Sequence, residues 1–302
     1  MFSRTSTTNS KPLLLALLSV LLWSTSSVVA KLAESSVGYI GLTISMFSIG
    51  FIVFFGVAQN RMPIKQKLTE LRSNNVLKTY LFYTSATGIF MGIYYYTFYF
   101  SIQSPYSVQA NLINYLWPTI TPVLAATVFK SSKSLGYKSI IALLLSFIGC
   151  TIVITGFDLQ SISLTKYHLS AFIAALSAGL YMNFAMMAED ILDELPLIYM
   201  LGLGFALPFV ILPAFIQPVT LQVTFETGAY ILYVSVFTFV IANLAWTRSL
   251  IGGNTSQISA LAYFIPVFST ILLTLISTPE QPLSIVLLGG GLIIAGQVLS
   301  KD

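Results

Sequence analysis

The residues that could do chemistry inside the apolar stretches of this sequence are amides, hydroxyls and aromatic rings. Asn111, Asn114 and Tyr115 stand at positions i, i+3 and i+4, the spacing of one helix face. An amide that faced lipid would lack hydrogen-bond partners, so this face should line the interior of a helix bundle or a wet cavity. Such neutral groups bind a small polar ligand without a covalent step.

Aromatic and neutral polar residues recur at helical spacing in several other apolar stretches. A cavity walled by them would suit a ligand with a flat apolar part and a polar or zwitterionic head. The predicted binding residues are Trp23, Ser27, Tyr95, Tyr99, Asn114, Tyr115, Trp117, Tyr181, Asn243, Trp246 and Tyr263. We expect the tryptophans, Tyr115 and Tyr263 to contact the apolar part, and Ser27, Asn114 and Asn243 to bond the amino or carboxylate group.

Three prolines are predicted to interrupt the helices that carry these groups. Pro118 and Pro122 follow Asn114 closely, and Pro266 holds the corresponding place after Tyr263. Proline removes a helix hydrogen bond and can bend the helix, which leaves carbonyl groups for a ligand or a neighbouring helix. We therefore assign them as hinge or helix-break positions.

Charged residues give little reason to expect an enzyme or a metal site. Every Asp and Glu lies at the end of an apolar stretch or between two of them, so a buried carboxylate relay is not expected. The run 189–194, with four acids, could in principle bind a hard cation, but no second acidic motif faces it and we interpret it as a solvated loop. The single Cys150 excludes an intramolecular disulfide and metal capture by paired thiols. No catalytic residue, metal or cofactor is predicted. Lys31 and Glu34 are interpreted as a pair that anchors one helix end.

Composition identifies the medium that surrounds these helices. Hydrophobic residues make up 56% of the 302 positions and charged residues only 8%, which excludes a soluble enzyme and is typical of a chain embedded in lipid. The net charge of +4 is spread along the chain and indicates topology rather than nucleic-acid binding. At about 20 apolar residues per crossing, the length allows about ten helices.

The apolar stretches and their breaks predict an all-α integral membrane protein with ten transmembrane helices. The predicted spans are 12–33, 38–58, 79–103, 105–129, 139–156, 168–188, 197–216, 228–248, 255–277 and 283–300. With both termini in the cytoplasm, twelve of the fourteen Lys and Arg residues are cytoplasmic, and only Lys31 and Lys166 lie outside. The distribution predicts a multi-pass protein of the inner membrane with the N-terminus and C-terminus inside.

The two halves of the chain resemble each other. A shift of 148 residues places Gln109, Tyr115 and Pro118 on Gln257, Tyr263 and Pro266. Since each half holds an odd number of spans, the halves should have opposite orientations in the membrane, an arrangement typical of alternating-access carriers. The prediction is a five-plus-five inverted repeat, with a first five-helix repeat at 1–156 and a second at 157–302.

Three motifs resemble those of a known family. They are Leu22-Trp23-Ser24-Thr25, Asn114-Tyr115-Leu116-Trp117-Pro118, and Gly253-Asn254-Thr255 followed by Tyr263-Phe264-Ile265-Pro266-Val267. Together they resemble the bacterial drug/metabolite transporter superfamily across the whole chain, and the first two resemble the aromatic amino acid exporter branch of its EamA-type carriers. The resemblance implies two five-helix EamA-like repeats, a central cavity between spans 1, 3, 4, 6, 8 and 9, and export of amino acids or related metabolites. The tyrosine run 94–96 and the stretch 104–106 depart from that pattern.

The sequence thus predicts an inner-membrane exporter of small amphipathic metabolites, with aromatic or other neutral amino acids first, that works by alternating access. Two alternatives stay open: a carrier of cationic drugs or choline-like amines, which an aromatic cage could bind by cation-π contacts, and a membrane-embedded transferase. The partners expected are a small-molecule substrate and the lipid bilayer, without nucleic acid, and a monomer is compatible with the sequence.

Overall fold

The computed structural model describes residues 11–61, 63–129, 164–217, 224–252, 264–277 and 282–299, with single residues or short pieces between 141 and 157 and at 219 and 261. Tyr263, the glutamine at 257 and eight of the eighteen residues of the predicted fifth span lie outside the described residues. Throughout the described ranges the regular elements are helices, and no strand occurs among them. The chain is therefore an all-α protein, as predicted.

In the described part of the chain, twelve segments are α-helical: α1 Lys11–Arg61, α2 Ile64–Ser73, α3 Leu77–Ile102, α4 Ser107–Asn114, α5 Trp117–Thr127, α6 Lys166–Glu189, α7 Leu195–Ile211, α8 Pro213–Ile216, α9 Phe225–Leu232, α10 Ala242–Gly252, α11 Phe264–Thr274 and α12 Leu283–Leu299. A π-helical segment, Tyr233–Ile241, joins α9 to α10 without a break.

Four continuous helical stretches of the described chain are long and apolar enough to cross a membrane. They are Lys11–Asn60, Lys166–Glu189, Leu195–Ile216 and Phe225–Trp246. Large apolar side chains stay exposed on their outer surfaces, among them Phe209 and Phe215. A water-soluble fold would bury such residues, whereas lipid solvates them at no cost.

A single kink divides α1 into two rods. At Gly38 the backbone has φ 66° and ψ 166°, outside the helical region, while the residues on both sides remain helical. This conformation is essentially restricted to glycine because a Cβ would strain it. The kink lies at the predicted boundary between the first two spans, so no loop separates them.

Helix α2 was not predicted, because the charged stretch that contains it was assigned to a connection. It buries Lys67 and Leu71, four residues apart on one face. The Lys67 ammonium donates to the carbonyl oxygen of Ala58 at 3.2 Å and pairs with Glu194 at 3.1 Å. Glu194 is the residue directly before α7, so α2 joins α1 to the start of α7.

Helix α3 lies in the middle of the described bundle and packs against both α6 and α7. Its approach to α7 is close because glycines face each other: a Cβ at Gly88 would overlap the carbonyl oxygen of Gly202. Gly92 lies next along the same face, where a Cβ would be 3.2 Å from Val210. Small residues at such crossings let membrane helices approach backbone to backbone.

Candidate functional site

A small cavity of about 50 Å³ lies between the helices. Its lining comes from α1, α3, the α4–α5 junction, α6, the π-helical segment with α10, and α11, which correspond to predicted spans 1, 3, 4, 6, 8 and 9. The lining residues are Trp23, Ser26, Ser27, Tyr94, Tyr95, Phe98, Asn114, Tyr115, Trp117, Ala178, Tyr181, Met182, Thr238, Asn243 and Ile265. This lining contains aromatic rings, hydroxyls and amides, and no charged side chain among the described residues.

The structure brings together eight of the residues singled out from the sequence. Trp23, Ser27, Tyr95, Asn114, Tyr115, Trp117, Tyr181 and Asn243 all contribute to the cavity wall. Tyr99 does not: it is 1% exposed, and its hydroxyl lies 3.3 Å from the Met46 sulfur behind the wall. Trp246 packs against Trp23, with ring centroids 5.5 Å apart, and supports that ring from outside the lining. The structure does not describe Tyr263.

Several aromatic residues of α3 and α6 form one continuous surface of the cavity. The Tyr94 ring centroid lies 4.6 Å from that of Tyr95, 5.9 Å from that of Phe98 and 5.8 Å from that of Tyr181. Such distances are typical of favourable ring pairs. The flat apolar part of a ligand would find stacking partners here.

Tyr94 and Phe98 were not predicted, because the predicted residues of α3, Tyr95 and Tyr99, lie on the face that also carries Gly88 and Gly92. Those two glycines mark the face of α3 that packs on α7. Tyr94 and Phe98, four residues apart on the neighbouring face, line the cavity together with Tyr95. The glycines were thus the signal that could have located the packing side.

Trp23 is held by a hydrogen bond from its indole N–H to the backbone carbonyl of Thr238, at 3.0 Å. Thr238 belongs to the π-helical segment and lines the cavity together with Asn243, five residues further on. In a π-helix the hydrogen bonds join residues i and i+5, so the residues that follow the segment are shifted in register from their positions in an unbroken α-helix. The sequence reading assumed α-helical spacing and therefore found Asn243 but not Thr238.

A buried chain of side-chain hydrogen bonds crosses from α1 through α4 to α11. The Ser27 hydroxyl donates to the Asn111 side-chain oxygen at 2.8 Å, and the Asn111 amide donates to Ser269 at 3.0 Å. The Ser269 hydroxyl in turn donates to the Tyr115 hydroxyl at 3.1 Å. Asn111 thus stands outside the lining and connects two residues, Ser27 and Tyr115, that belong to it.

The predicted fourth span is interrupted between α4 and α5. Helix α4 ends at Asn114, and Tyr115 forms tight turn hydrogen bonds to the carbonyls of Asn111 and Leu112, at 3.3 and 3.1 Å. Pro118 lies in the first turn of α5, where proline needs no helix hydrogen bond. Pro122 follows within α5, and Pro266 lies within α11. That these prolines act as hinges stays a prediction.

The two charged features singled out from the sequence lie away from the cavity. Lys31 donates to the carbonyl oxygens of Ile102 and Ser104, at 3.0 and 3.2 Å, and so binds the end of α3. A cation is favourable at a helix C-terminus, where carbonyl groups lack partners. In the acidic run, Glu194 pairs with Lys67, as described above.

Comparison with known proteins relates the whole chain to transporters. A model of the EamA-like transporter family matches residues 10–155 and 165–300. The aromatic amino acid exporter YddG of Escherichia coli (strain K12) is 24% identical over 303 aligned residues, which cover 96% of each chain. An uncharacterized transporter of Archaeoglobus fulgidus is 30% identical over 102 residues, 34% of each chain. One solved crystal structure matches with a TM-score of 0.64 at 18% identity over 96% of both chains, which is a likeness of fold.

Proposed function

This chain belongs to the EamA-like transporter family, and on that basis we propose that it exports aromatic or other neutral amino acids by alternating access of two inverted halves. Membership makes it a membrane-embedded transporter of small molecules rather than an enzyme. The membrane-embedded transferase therefore drops out of the candidate functions.

The observation that supports this substrate class is the cavity lining. Rings from α3 and α6 form its apolar side, and Asn114 and Asn243 add amides, with no charged residue in the described wall. A neutral wall of this kind matches a zwitterion, whose own two charges balance, better than an anion or a polycation. The aromatic amino acid exporter from E. coli, to which this chain is similar over 96% of its length, points to the same class.

The proposed architecture is ten transmembrane helices in a five-plus-five inverted repeat. Two family matches of similar length, residues 10–155 and 165–300, support a division into two repeats. The repeated Gln-Tyr-Pro pattern, with Tyr115 in one half and Tyr263 in the other, supports their equivalence. We place the chain in the inner membrane with both termini in the cytoplasm, on the distribution of lysine and arginine.

The test is counterflow in proteoliposomes. Vesicles that contain the purified protein are loaded with one unlabelled solute, and uptake of radiolabelled phenylalanine is followed. We expect tryptophan, tyrosine or phenylalanine inside to accelerate uptake. If none of the aromatic and other neutral amino acids in the panel accelerates phenylalanine uptake, the proposed substrate class is refuted.

A pair of variants connects the activity to the cavity. Trp23→Leu removes a ring from the wall and should lower phenylalanine exchange by about tenfold or more, the value of one buried aromatic contact. Phe209→Leu is the matched control, because Phe209 is 64% exposed on the outer surface of α7. Equal losses of phenylalanine exchange in both variants, at equal protein level, would show that the activity does not depend on the cavity.

A second candidate function is transport of cationic drugs or choline-like amines. The observation in its favour is the group of rings around Tyr94, since aromatic faces attract cations. Choline in the counterflow panel distinguishes the two candidates: acceleration by choline alone would favour the amine carrier.

A further inference from the structure

One polar atom of the cavity wall has no partner. Among the lining residues that the structure describes, Asn114 alone carries a buried side-chain atom, its Oδ1, without a hydrogen bond. The residue is 3% exposed, and α4 ends at this position, so the amide stands at the edge of the interrupted span. An unpaired buried acceptor destabilises the protein, and a ligand that supplies a donor relieves this cost.

Three donors of the wall are already bonded within the protein. The Ser27 hydroxyl donates to Asn111 at 2.8 Å, and the Trp23 indole donates to the Thr238 carbonyl at 3.0 Å. The Asn243 amide nitrogen donates to the Phe239 carbonyl at 2.6 Å. These three donors already have acceptors, whereas the Asn114 oxygen has no hydrogen bond.

We propose that the Asn114 side-chain oxygen accepts a hydrogen bond from an ammonium N–H of the substrate, so that the carrier selects amines that keep at least one N–H and discriminates against quaternary ammonium groups. This inference rests on the proposed transport function and specifies the head group that the same cavity recognises. It assigns to Asn114 one of the two roles that the sequence left open, contact with the amino group rather than with the carboxylate.

The surroundings of Asn114 favour an ammonium donor over a hydroxyl. Tyr94, Tyr95, Phe98 and Tyr181 present aromatic rings on the same cavity, and ring faces attract a cation. A hydrogen bond from a charged nitrogen to a neutral oxygen is also stronger than one between two neutral groups. A trimethylammonium group keeps the attraction to the rings but leaves the Asn114 oxygen buried and unpaired.

A methylation series tests the inference one hydrogen at a time. The ligands are phenethylamine and its N-methyl, N,N-dimethyl and N,N,N-trimethyl derivatives, and dissociation constants are measured by calorimetry on the purified full chain. We expect similar constants for the first three, which all keep an N–H when protonated, and a loss of about 10- to 100-fold at the trimethyl compound. A gradual decline across the series, equal binding of all four, or binding of none would overturn the proposal.

Two variants show whether Asn114 causes the step. Asn114→Leu should remove the difference between the dimethyl and trimethyl compounds, and Asn114→Asp, which keeps the acceptor, should retain or enlarge it. Asn74→Leu is the control, because Asn74 is an exposed amide in the turn after α2. If Asn114→Leu does not fold, the wild-type series and Asn114→Asp still decide: a step that disappears in Asn114→Asp overturns the proposal.

The outcome is separable from that of the proposed function. If the chain shows no exchange of amino acids but still binds the dimethyl amine better than the trimethyl amine, the substrate class fails and the role of Asn114 stands. If amino acids exchange and no step occurs in the amine series, the opposite holds.

Discussion

The position of Tyr115 in the cavity wall depends on a residue that does not touch the cavity. Asn111 accepts from Ser27 on α1 and donates to Ser269 on α11, which donates to Tyr115. Asn111 and Ser269 are both fully buried. An amide that satisfies hydroxyl groups of two neighbouring helices fixes their distance and rotation relative to α4.

Replacing Asn111 by leucine should therefore affect both stability and binding. The leucine has similar volume but leaves the Ser27 hydroxyl without its acceptor, so we expect a loss of about 1–3 kcal/mol in unfolding free energy. The substrate KM should rise, because Tyr115 loses its oriented partner. Thermal unfolding in detergent and exchange kinetics measure the two effects.

Ser24→Ala is the control for Asn111→Leu. The Ser24 hydroxyl donates only to the Val20 carbonyl of its own helix, at 2.6 Å, so its removal should change neither quantity by much. A thermal midpoint and a KM that are unchanged in Asn111→Leu would show that the hydrogen-bond chain does not position Tyr115.

Sequence patterns located part of this site, for a physical reason. Asn111 and Asn114 lie on an ordinary α-helix and Tyr115 directly follows it, so the sequence could predict that the three residues share a face. Thr238 was not readable, because it lies in a π-helical segment whose spacing differs from that of an α-helix. The partners of Asn111 on other helices were also beyond the sequence, since spacing within a helix says nothing about the side chains that face it.

At the scale of elements, the crossing of α3 and α7 is the closest approach that the glycines of the described chain report. A Cβ at Gly88 would meet the Gly202 backbone, and one at Gly202 would lie 2.9 Å from the Thr84 carbonyl oxygen. The two helices thus touch along their backbones. Because α3 carries the rings of the cavity, this crossing also sets the depth of those rings in the bundle.

Gly88→Ala should force α3 and α7 apart. We expect a destabilisation of about 1–3 kcal/mol, the usual cost of overpacking, seen as a lower thermal midpoint. Gly56→Ala is the matched control: Gly56 lies in α1, and an added Cβ would meet nothing within 4 Å. In that position alanine should be neutral or stabilising by up to about 1 kcal/mol. Equal midpoints for the two variants would refute the close crossing.

The ion pair between α2 and the start of α7 is buried on one side only. Lys67 is 1% exposed and Glu194 is 17% exposed. Removal of the glutamate would leave a fully buried ammonium, whereas removal of the lysine leaves a carboxylate on a partly exposed side chain. The two single substitutions should therefore have unequal effects.

Glu194→Leu should lower the unfolding free energy by about 3–5 kcal/mol, because it strands the Lys67 charge. Lys67→Met should cost less, and the double variant should recover most of the loss, since no charge remains to be solvated. Thermal unfolding of the four proteins forms a double-mutant cycle. Strict additivity of the two single effects would show that the pair does not interact.

Hydropathy predicted the boundaries of helices that cross the lipid, because the lipid requires an apolar stretch of a fixed length. The predicted limits 168–188 and 283–300 agree closely with α6 and α12, because a charged or proline-bearing connection ends each apolar stretch. Helix α2 was not predicted, because its apolar face is short and one of its two buried residues is Lys67, which hydropathy treats as exposed. An ion pair with a residue more than one hundred positions away cannot be read from local composition.

For the whole molecule, contacts between distant segments agree with the predicted sidedness of the spans. Lys67 and Glu194, in contact, fall on the same predicted side, and Tyr39 and Gln217, bonded at 3.2 Å, both fall on the other. These contacts constrain which ends lie together. The positive charges, five of which lie between residues 61 and 78, decide which side is cytoplasmic.

Cysteine labelling tests the proposed orientation. In a Cys150→Ser background, Ser35→Cys and Gln66→Cys place single thiols at exposed positions near the two opposite ends. A membrane-impermeant maleimide should label Ser35→Cys in cells whose inner membrane is intact, and Gln66→Cys only after that membrane is permeabilised. The reverse pattern would invert the topology.

The glycine kink of α1 has a mechanical consequence. The two rods are joined directly at Gly38. Their adjoining ends are therefore separated by about one Cα-to-Cα step, roughly 4 Å. A longer loop would absorb a displacement of the first rod, whereas this joint passes it on to the second. The first rod carries Trp23 and Ser27, and the second packs through Phe54 on Tyr199 of α7, so we expect a displacement of the cavity wall to reach α7 through this joint.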